Sequence, residues 1–230
     1  MNLWIPIGAL AIYFLMNQRM GTMFSNNQLD KIKAYGKTKG NLDFNDWTIV
    51  GIRGAELNSG NVNTIPNVRN HFNDILALIK DDNSFVYKAN LDPGNPSMSK
   101  PINPEGTFQI SEGFYKVGRT THGRDVWRDG QKVRIREKAF NIINPEGQRD
   151  KNRDSKFDSQ DPVHTLNPSY GINIHPTNRR NPKTVDSSSY GCLNPQAYWE
   201  DDIWSEFRDT LYNDSNKTWN LMILDSKKII

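Results

Sequence analysis

Short apolar runs, interrupted by Gly, Pro and Asn, constrain the fold of this chain more than any other feature. Four such runs end at turn-forming residues: 48–53, 84–90, 172–174 and 219–224. Runs of this length and spacing predict β-strands. Helical spacing appears in only two segments, residues 67–80 and residues 195–212, the second with Asn194 as its cap. We therefore predict a mainly β (α+β) fold, a sandwich or mixed sheet with two helices.

Length and charge narrow the class of protein. The chain has 230 residues and a net charge of +3, with basic and acidic residues interspersed. This length is compatible with one large domain or two small ones. No basic stripe typical of nucleic-acid binding is present, so we expect no nucleic-acid partner. Basic residues are concentrated in residues 119–138, which suits an acidic substrate, although a solvated face is the simpler explanation.

The N-terminal segment is far more apolar than the rest of the chain. Residues 3–16 contain no charged or amide side chain. A helix over this run covers about 21 Å, against about 30 Å of bilayer hydrocarbon, and the flanking residues extend it towards a full span. We predict a membrane anchor helix over residues 1–20, with a helix of the protein core as the alternative. A cleaved signal peptide is less well supported because no Lys or Arg precedes the run.

A polar tether over residues 21–46 is predicted to follow the anchor and to lead into a folded domain over residues 47–230. The tether carries four basic residues, Lys31, Lys33, Lys37 and Lys39. By the positive-inside rule these lysines hold the domain on the cytoplasmic side. That orientation conflicts with any substrate outside the membrane, so the side of the membrane stays open.

Cys192 is the only cysteine, so no disulfide forms within the chain. A thiol with its ordinary pKa of about 8.5 is a weak nucleophile unless an imidazole takes its proton. His175 ends a strand candidate, and the loop that follows can return the chain beside it, which makes it the candidate base. Gly191 permits an unusual backbone angle and N–H groups aimed at an oxyanion, while Ser189 and Asn194 can fix that turn. A buried structural Cys beside a structural His is the alternative.

Other candidate ligands are weaker. His122 lies beside Gly123, which predicts a loop, and from there could reach the site as a substrate-binding group, although exposure without function is the simpler interpretation. His122, His164, His175 and Cys192 lack the close spacing of zinc ligands, so we expect no metal and no cofactor. Residues 150–154 show the Asp/Asn alternation of a calcium loop. The sixth position is Ser155 rather than Gly and no Glu closes the pattern, which favours a solvated loop.

The candidate site resembles the catalytic domain of the L,D-transpeptidases, whose signature is an upstream His followed by Ser/Thr-His-Gly-Cys-apolar-Asn. The matching positions are His175, Ser189, Gly191, Cys192, Leu193 and Asn194. Tyr190 departs from the signature, because most members carry a second His there, and the intervening loop is slightly short. A Pro-x-Gly-x-Phe/Tyr segment within residues 101–118 is also similar to one in that family. Short motifs between residues 49 and 192 resemble phage and prophage proteins as well.

The resemblance implies acyl transfer on peptidoglycan stem peptides through a thioester on Cys192. His175 would be the base, Gly191 would contribute to the oxyanion site, and the substrate would contact Tyr190, Ser189, Asn194 and His122. Transfer to water instead of an amine makes the same site a carboxypeptidase or endopeptidase. The competing class is a non-catalytic wall-binding or virion structural protein. Tyr190 favours that class because a phenol is not a base at neutral pH. In either case we expect a membrane-anchored protein of the cell envelope or a phage virion.

Overall fold

The computed structural model describes residues 22–167 and 171–230, and thirteen strands and three α-helices lie within them. In chain order the strands are β1 (Thr48–Arg53), β2 (Ala55–Asn58), β3 (Asn61–Thr64), β4 (Asp74–Lys80), β5 (Asn83–Asn90), β6 (Phe108–Ile110), β7 (Gly113–Arg128), β8 (Gln131–Ile143), β9 (Glu146–Arg149), β10 (Val163–Thr165), β11 (Asn173–Ile174), β12 (Asn194–Pro195) and β13 (Thr218–Asp225). The helices are α1 (Asn26–Gly40), α2 (Asn95–Ser99) and α3 (Asp202–Tyr212). Short 3₁₀ turns cover Asp186–Ser188 and Ser226–Lys228.

One eight-stranded mixed sheet dominates the fold. Its strand order is β11-β8-β7-β13-β1-β4-β5-β12. The pair β1 and β13 is parallel, and every other neighbouring pair in it is antiparallel. Two small sheets, β10-β9-β6 and β2-β3, complete the described strands. The predicted mainly β architecture with a mixed sheet is confirmed, but three helices are present where two were expected.

The helix predicted over residues 67–80 is wrong. Its second half is strand β4, which pairs with β1 on one side and with β5 on the other. The five residues from Ile75 to Ile79 are all buried, on both faces of the sheet. A continuous apolar run of this kind suits a strand covered on both faces and cannot be distinguished from a buried helix by periodicity alone.

The second predicted helix is shorter than expected. Helix α3 begins at Asp202, so Asn194 is not its cap. Asn194 and Pro195 instead form β12, which pairs with β5 at the edge of the sheet. The aromatic stripe is core, as expected, since Trp204 and Phe207 are fully buried.

Both faces of the sheet are covered. Alternate residues of each strand point to opposite faces, and Ile49 packs in the cluster that includes α3 while its neighbour Val50 packs in the cluster that includes α1. Burial on both faces explains why the central strands read as unbroken apolar runs.

Residues 22–46 do not form the predicted tether. Ser25 caps the start of helix α1 with a hydroxyl that accepts from the Gln28 N–H, and Asn41, in the left-handed region with φ of 52°, caps its end. Apolar residues of this segment are buried against the sheet: Phe24, Leu29, Ile32, Leu42 and Phe44. Because these few apolar side chains lie among many Lys and Asn residues, their helical spacing is not evident in the sequence.

The predicted anchor, residues 1–20, lies outside the described residues. No helix within residues 22–167 and 171–230 is long and apolar enough to cross a membrane.

The two outermost strands of the large sheet meet each other. Ile174 of β11 forms a parallel bridge with Leu193, the residue directly before β12. The His175 N–H donates to the Leu193 carbonyl at 3.1 Å, and the Leu193 N–H donates to the Asn173 carbonyl at 2.9 Å. The sheet therefore curls until its edges join, and the join lies between the segments that carry His175 and Cys192.

Candidate functional site

The join of the two sheet edges brings the predicted site residues together. Ile174 and Leu193 both point into the main core. Because side chains alternate along a strand, their sequence neighbours Asn173, His175, Cys192 and Asn194 lie on the opposite face. Residues separated by almost twenty positions are thus held on one small surface by backbone hydrogen bonds.

His175 is fixed in one orientation. Its Nδ1 lies 2.7 Å from the Pro176 carbonyl. A carbonyl only accepts, so Nδ1 carries the proton and Nε2 carries the lone pair. Nε2 is buried and has no hydrogen-bond partner. The Asn194 amide donates to the His175 carbonyl at 2.8 Å, which holds the backbone behind the ring. The arrangement presents an unprotonated, unengaged nitrogen at the site.

His122 joins the site from strand β7 rather than from the expected loop. Its ring stacks on that of His175, with centroids 3.8 Å apart and planes at 16°. The Asn173 amide nitrogen lies 3.1 Å from His122 Nδ1. The Asn173 amide oxygen already accepts from Asn141. Nδ1 of His122 is therefore the acceptor and its Nε2 carries the proton.

Both imidazoles are held neutral. Burial, and to a smaller extent the nearby His122, lowers the pKa of His175 to about 3. Burial, followed by the positive charges of Arg134 and Arg136, lowers the pKa of His122 to about 4. Trp199 lies parallel to His175, with ring centroids 5.8 Å apart and planes at 5°, and helps to exclude water from the ring.

Cys192 is protonated in this structure. Its Sγ donates to the Gly171 carbonyl at 3.7 Å. Burial raises the pKa of the thiol to about 11, although the Asn173 backbone N–H lowers it. No hydrogen bond joins the thiol to His175, since Nε2 of that ring has no partner. The pair is therefore a neutral thiol and a neutral imidazole, not a preformed ion pair.

The turn before Cys192 requires glycine. Gly191 has φ of 123°, and a Cβ placed there would lie 2.7 Å from the Phe108 carbonyl oxygen. Its N–H donates to the Ser189 hydroxyl at 3.2 Å, and that hydroxyl donates to the Cys192 carbonyl at 2.7 Å. Ser189 therefore locks the turn as expected, while the Gly191 N–H is already engaged and does not serve as the expected oxyanion donor here.

Tyr190 faces a groove beside the site. The groove has a volume of about 170 Å³ and is lined by Ile102, Asn103, Gly106, Thr107, Phe108, Arg149, Ile172 and Tyr190. Tyr190 is half-buried, so its ring forms part of the wall. A phenol in this place can contact an extended ligand next to Cys192.

Several residues of the site could not be predicted from the sequence. Asn173, Trp199 and Arg124 carry no motif. Arg124 donates to Glu200 at 2.6 Å, to Glu137 and to the Tyr198 hydroxyl at 3.0 Å each. This network ties the β7–β8 hairpin, which carries His122, to the segment that carries Trp199. Its members lie up to 76 positions apart, so only the folded chain relates them.

Scanned against protein-family models, curated protein sequences and solved structures, the chain matches none of them.

Proposed function

We propose that this protein is a cysteine acyltransferase of the L,D-transpeptidase type that acts on peptidoglycan stem peptides. One observation supports this most directly. A buried imidazole with its Nδ1–H fixed on the Pro176 carbonyl and its Nε2 unengaged lies on the same surface as the only thiol of the chain. The likeness of residues 175 and 189–194 to the family signature supports the same chemistry.

The proposed reaction starts from the neutral pair. The Cys192 thiol leaves the Gly171 carbonyl and gives its proton to His175 Nε2 while Sγ attacks the carbonyl carbon of the substrate. The bond between that carbon and the leaving nitrogen then breaks, and the His175 imidazolium returns the proton to the leaving amine. The acyl group is left on Cys192 as a thioester. When a second amine or a water molecule attacks it, His175 takes the proton of that nucleophile, the carbon–sulfur bond breaks, and the imidazolium returns the proton to the Cys192 thiolate.

The oxyanion formed during the attack needs hydrogen-bond donors. Because the Gly191 N–H is bonded to Ser189, we assign this role to the Cys192 N–H. Tyr190 and the groove beside it would receive the peptide, and His122 would present its Nε2–H to the substrate. Transfer to an amine or to water depends on which nucleophile enters this groove. The proposed location is the cell envelope or a virion, with residues 1–20 as a membrane anchor.

The decisive experiment is a mass-spectrometric assay with purified muropeptides. We expect cross-linked or trimmed products with the wild-type protein, and a mass increase on the protein that matches an acyl group on Cys192. Cys192→Ala should abolish both, and Ser187→Ala, an exposed neighbour, should leave both unchanged. Equal turnover by Cys192→Ala would remove the thiol from the mechanism.

A non-catalytic wall-binding protein is the second candidate. The raised pKa of Cys192 and the lack of a hydrogen bond between thiol and imidazole favour it. In this case, both wild type and Cys192→Ala should co-sediment equally with insoluble peptidoglycan, and neither should release or join any muropeptide. Substitution of Tyr190 by Ala should then weaken sedimentation.

A further inference from the structure

The loop between β9 and β10, residues 150–161, has the ligand spacing of a twelve-residue calcium loop. Such loops place oxygen ligands at positions 1, 3, 5, 7, 9 and 12, the seventh being a backbone carbonyl. Counting from Asp150, the side chains at these positions are Asp150, Asn152, Asp154, Asp158 and Asp161, and the carbonyl is that of Lys156. The last position is therefore a carboxylate, although it is Asp rather than the usual Glu.

The backbone adopts the turn that glycine normally provides in such loops. Ser155, at the sixth position, has φ of 63°, and Arg153 has the same value. Left-handed backbone is disfavoured for residues other than Gly, Asn and Asp. The chain takes this conformation without glycine, so the loop follows the sharp turn of the pattern.

The carboxylate of Asp150 is the feature of the loop that indicates a bound ligand. The residue is 1% exposed, and neither carboxylate oxygen has a hydrogen-bond partner. The backbone N–H groups of Ser155 and Arg153 face this carboxylate, so it is directed into the loop, but neither group meets hydrogen-bond geometry. A buried carboxylate without partners is costly unless a cation or protons compensate it.

Asp161 is the second buried carboxylate of the loop. Its oxygens accept from the Lys151 N–H at 3.2 Å and from the Asp158 N–H at 3.3 Å. These bonds fold the end of the loop back onto its start. A carboxylate has about four lone-pair sites, so Asp161 retains capacity to bind a cation.

We propose that residues 150–161 bind a calcium ion, with the buried carboxylates of Asp150 and Asp161 as its main ligands and Asn152, Asp154 and the Lys156 carbonyl completing the shell. Across the described ranges no three His, Cys, Asp or Glu side chains are placed to hold a metal. Asn152 and Asp154 are exposed, so binding draws these two side chains in towards Asp150. An all-oxygen loop with flexible members suits Ca²⁺ rather than Mg²⁺, which demands near-octahedral geometry and retains its waters.

The loop adjoins the groove at the candidate site. The Asp150 N–H donates to the Thr107 carbonyl at 3.1 Å, and Thr107 lines the groove together with Tyr190. Calcium would therefore order one wall of this groove. The calcium proposal does not depend on the acyl-transfer proposal, because its readout is binding and stability.

The test uses the full chain after removal of divalent ions with a chelator. Calorimetric titration with CaCl₂ should show one site, and the midpoint of thermal unfolding should rise by about 5 °C at a hundredfold excess over the dissociation constant. The same concentration of MgCl₂ should give a much smaller rise. An equal rise with Mg²⁺, or none with either ion, would overturn the proposal.

Variants separate the loop from nonspecific binding. Asp154→Ala changes an exposed residue, so the protein should fold and lose the calcium-dependent rise. Ser155→Gly keeps every proposed oxygen ligand and permits the same left-handed turn, so it should retain the calcium-dependent rise. Asp30→Ala, an exposed Asp on α1, is the matched control and should respond as wild type does. A wild-type response by Asp154→Ala would place the ion elsewhere.

Discussion

The imidazole rings of His122 and His175 stack with centroids 3.8 Å apart, although His122 lies in strand β7 and His175 directly follows strand β11. Two rings this close repel each other when both carry a proton, and burial disfavours the charged form of each. Their pKa values are lowered to about 4 and about 3. At neutral pH both rings are therefore neutral, and Nε2 of His175 carries an unprotonated lone pair.

The stacked rings should make the fold sensitive to acid. A histidine whose folded pKa lies below its unfolded value of about 6.5 contributes stability above pH 6.5, and this stability falls as the pH drops towards the folded pKa. Replacing His122 by Gln removes one such group. Between pH 7 and pH 5, the free energy of unfolding of wild type should fall by about 2 kcal/mol more than that of His122→Gln.

Chemical denaturation at the two pH values measures this difference. Because Asp74, whose pKa is raised to about 7, is present in both proteins, its opposite effect cancels in the comparison. Equal losses in both proteins would mean that His122 titrates at its ordinary pKa.

The thiol should react slowly at neutral pH. Only the thiolate is nucleophilic, and the pKa of Cys192 is raised to about 11. Alkylation of the native protein by iodoacetamide should therefore accelerate about tenfold for each pH unit between 7 and 10. Protein unfolded in urea is the control and should react as an ordinary thiol. A fast rate in the native protein that does not change near neutral pH would instead indicate a stabilised thiolate.

Glycine 191 should be irreplaceable for steric reasons. Gly191→Ala combines a left-handed backbone angle with a Cβ 2.7 Å from the Phe108 carbonyl oxygen. Gly130 is a matched control, because its φ is 75° and nothing lies within 4 Å of a Cβ there. We expect Gly130→Ala to cost about 1 kcal/mol of unfolding free energy and Gly191→Ala about 3 kcal/mol or more. Equal costs in denaturant titrations would show that the turn can relax away from Phe108.

Two truncations should behave differently. A chain that starts at Gly21 retains the pairing of Thr22 with Val86 and all of α1, so it should unfold at the same temperature as the full chain. A chain that starts at Trp47 loses Phe24, Leu29, Ile32 and Phe44, each worth about 1.5 to 3 kcal/mol when buried. That loss approaches the whole stability of a typical domain.

Calorimetry and membrane flotation test both truncations. Loss of membrane association in the chain from Gly21 would support residues 1–20 as an anchor. A folded, stable chain from Trp47 would contradict the packing of α1 seen here.

The sequence predicted the local part of the site better than its surroundings. Ser189 and Gly191 form a turn within four residues of Cys192, so their roles follow from short-range rules about glycine and hydroxyl groups. The contact of His122 with His175 depends on the register between β7 and β8 and between β8 and β11. No short-range rule fixes such a register, which is why His122 was expected on a loop.

Prediction of the fold likewise succeeded where neighbouring residues decide the structure and failed where packing in the sheet decides it. Strand β1 was predicted with the bounds Thr48–Arg53 that the structure shows, because four of its six residues are β-branched and Gly54 follows the run. Strand β4 was predicted as a helix because Ile75 and Ile79 lie four positions apart, although the residues between them are equally buried. Burial on both faces removes the alternation that identifies a strand.

The join between Ile174 and Leu193 has a consequence for the order of folding. The strand next to it, β12, pairs Asn194 with Asn90 across 104 positions of sequence. Closing so long a segment carries a large entropic cost, and it is repaid only once most of the sheet is in place. The surface that carries His175 and Cys192 should therefore be among the last parts to assemble and should open before the central strands do. Native-state hydrogen exchange would show this as faster exchange at the Leu193 and His175 amides than at those of β1.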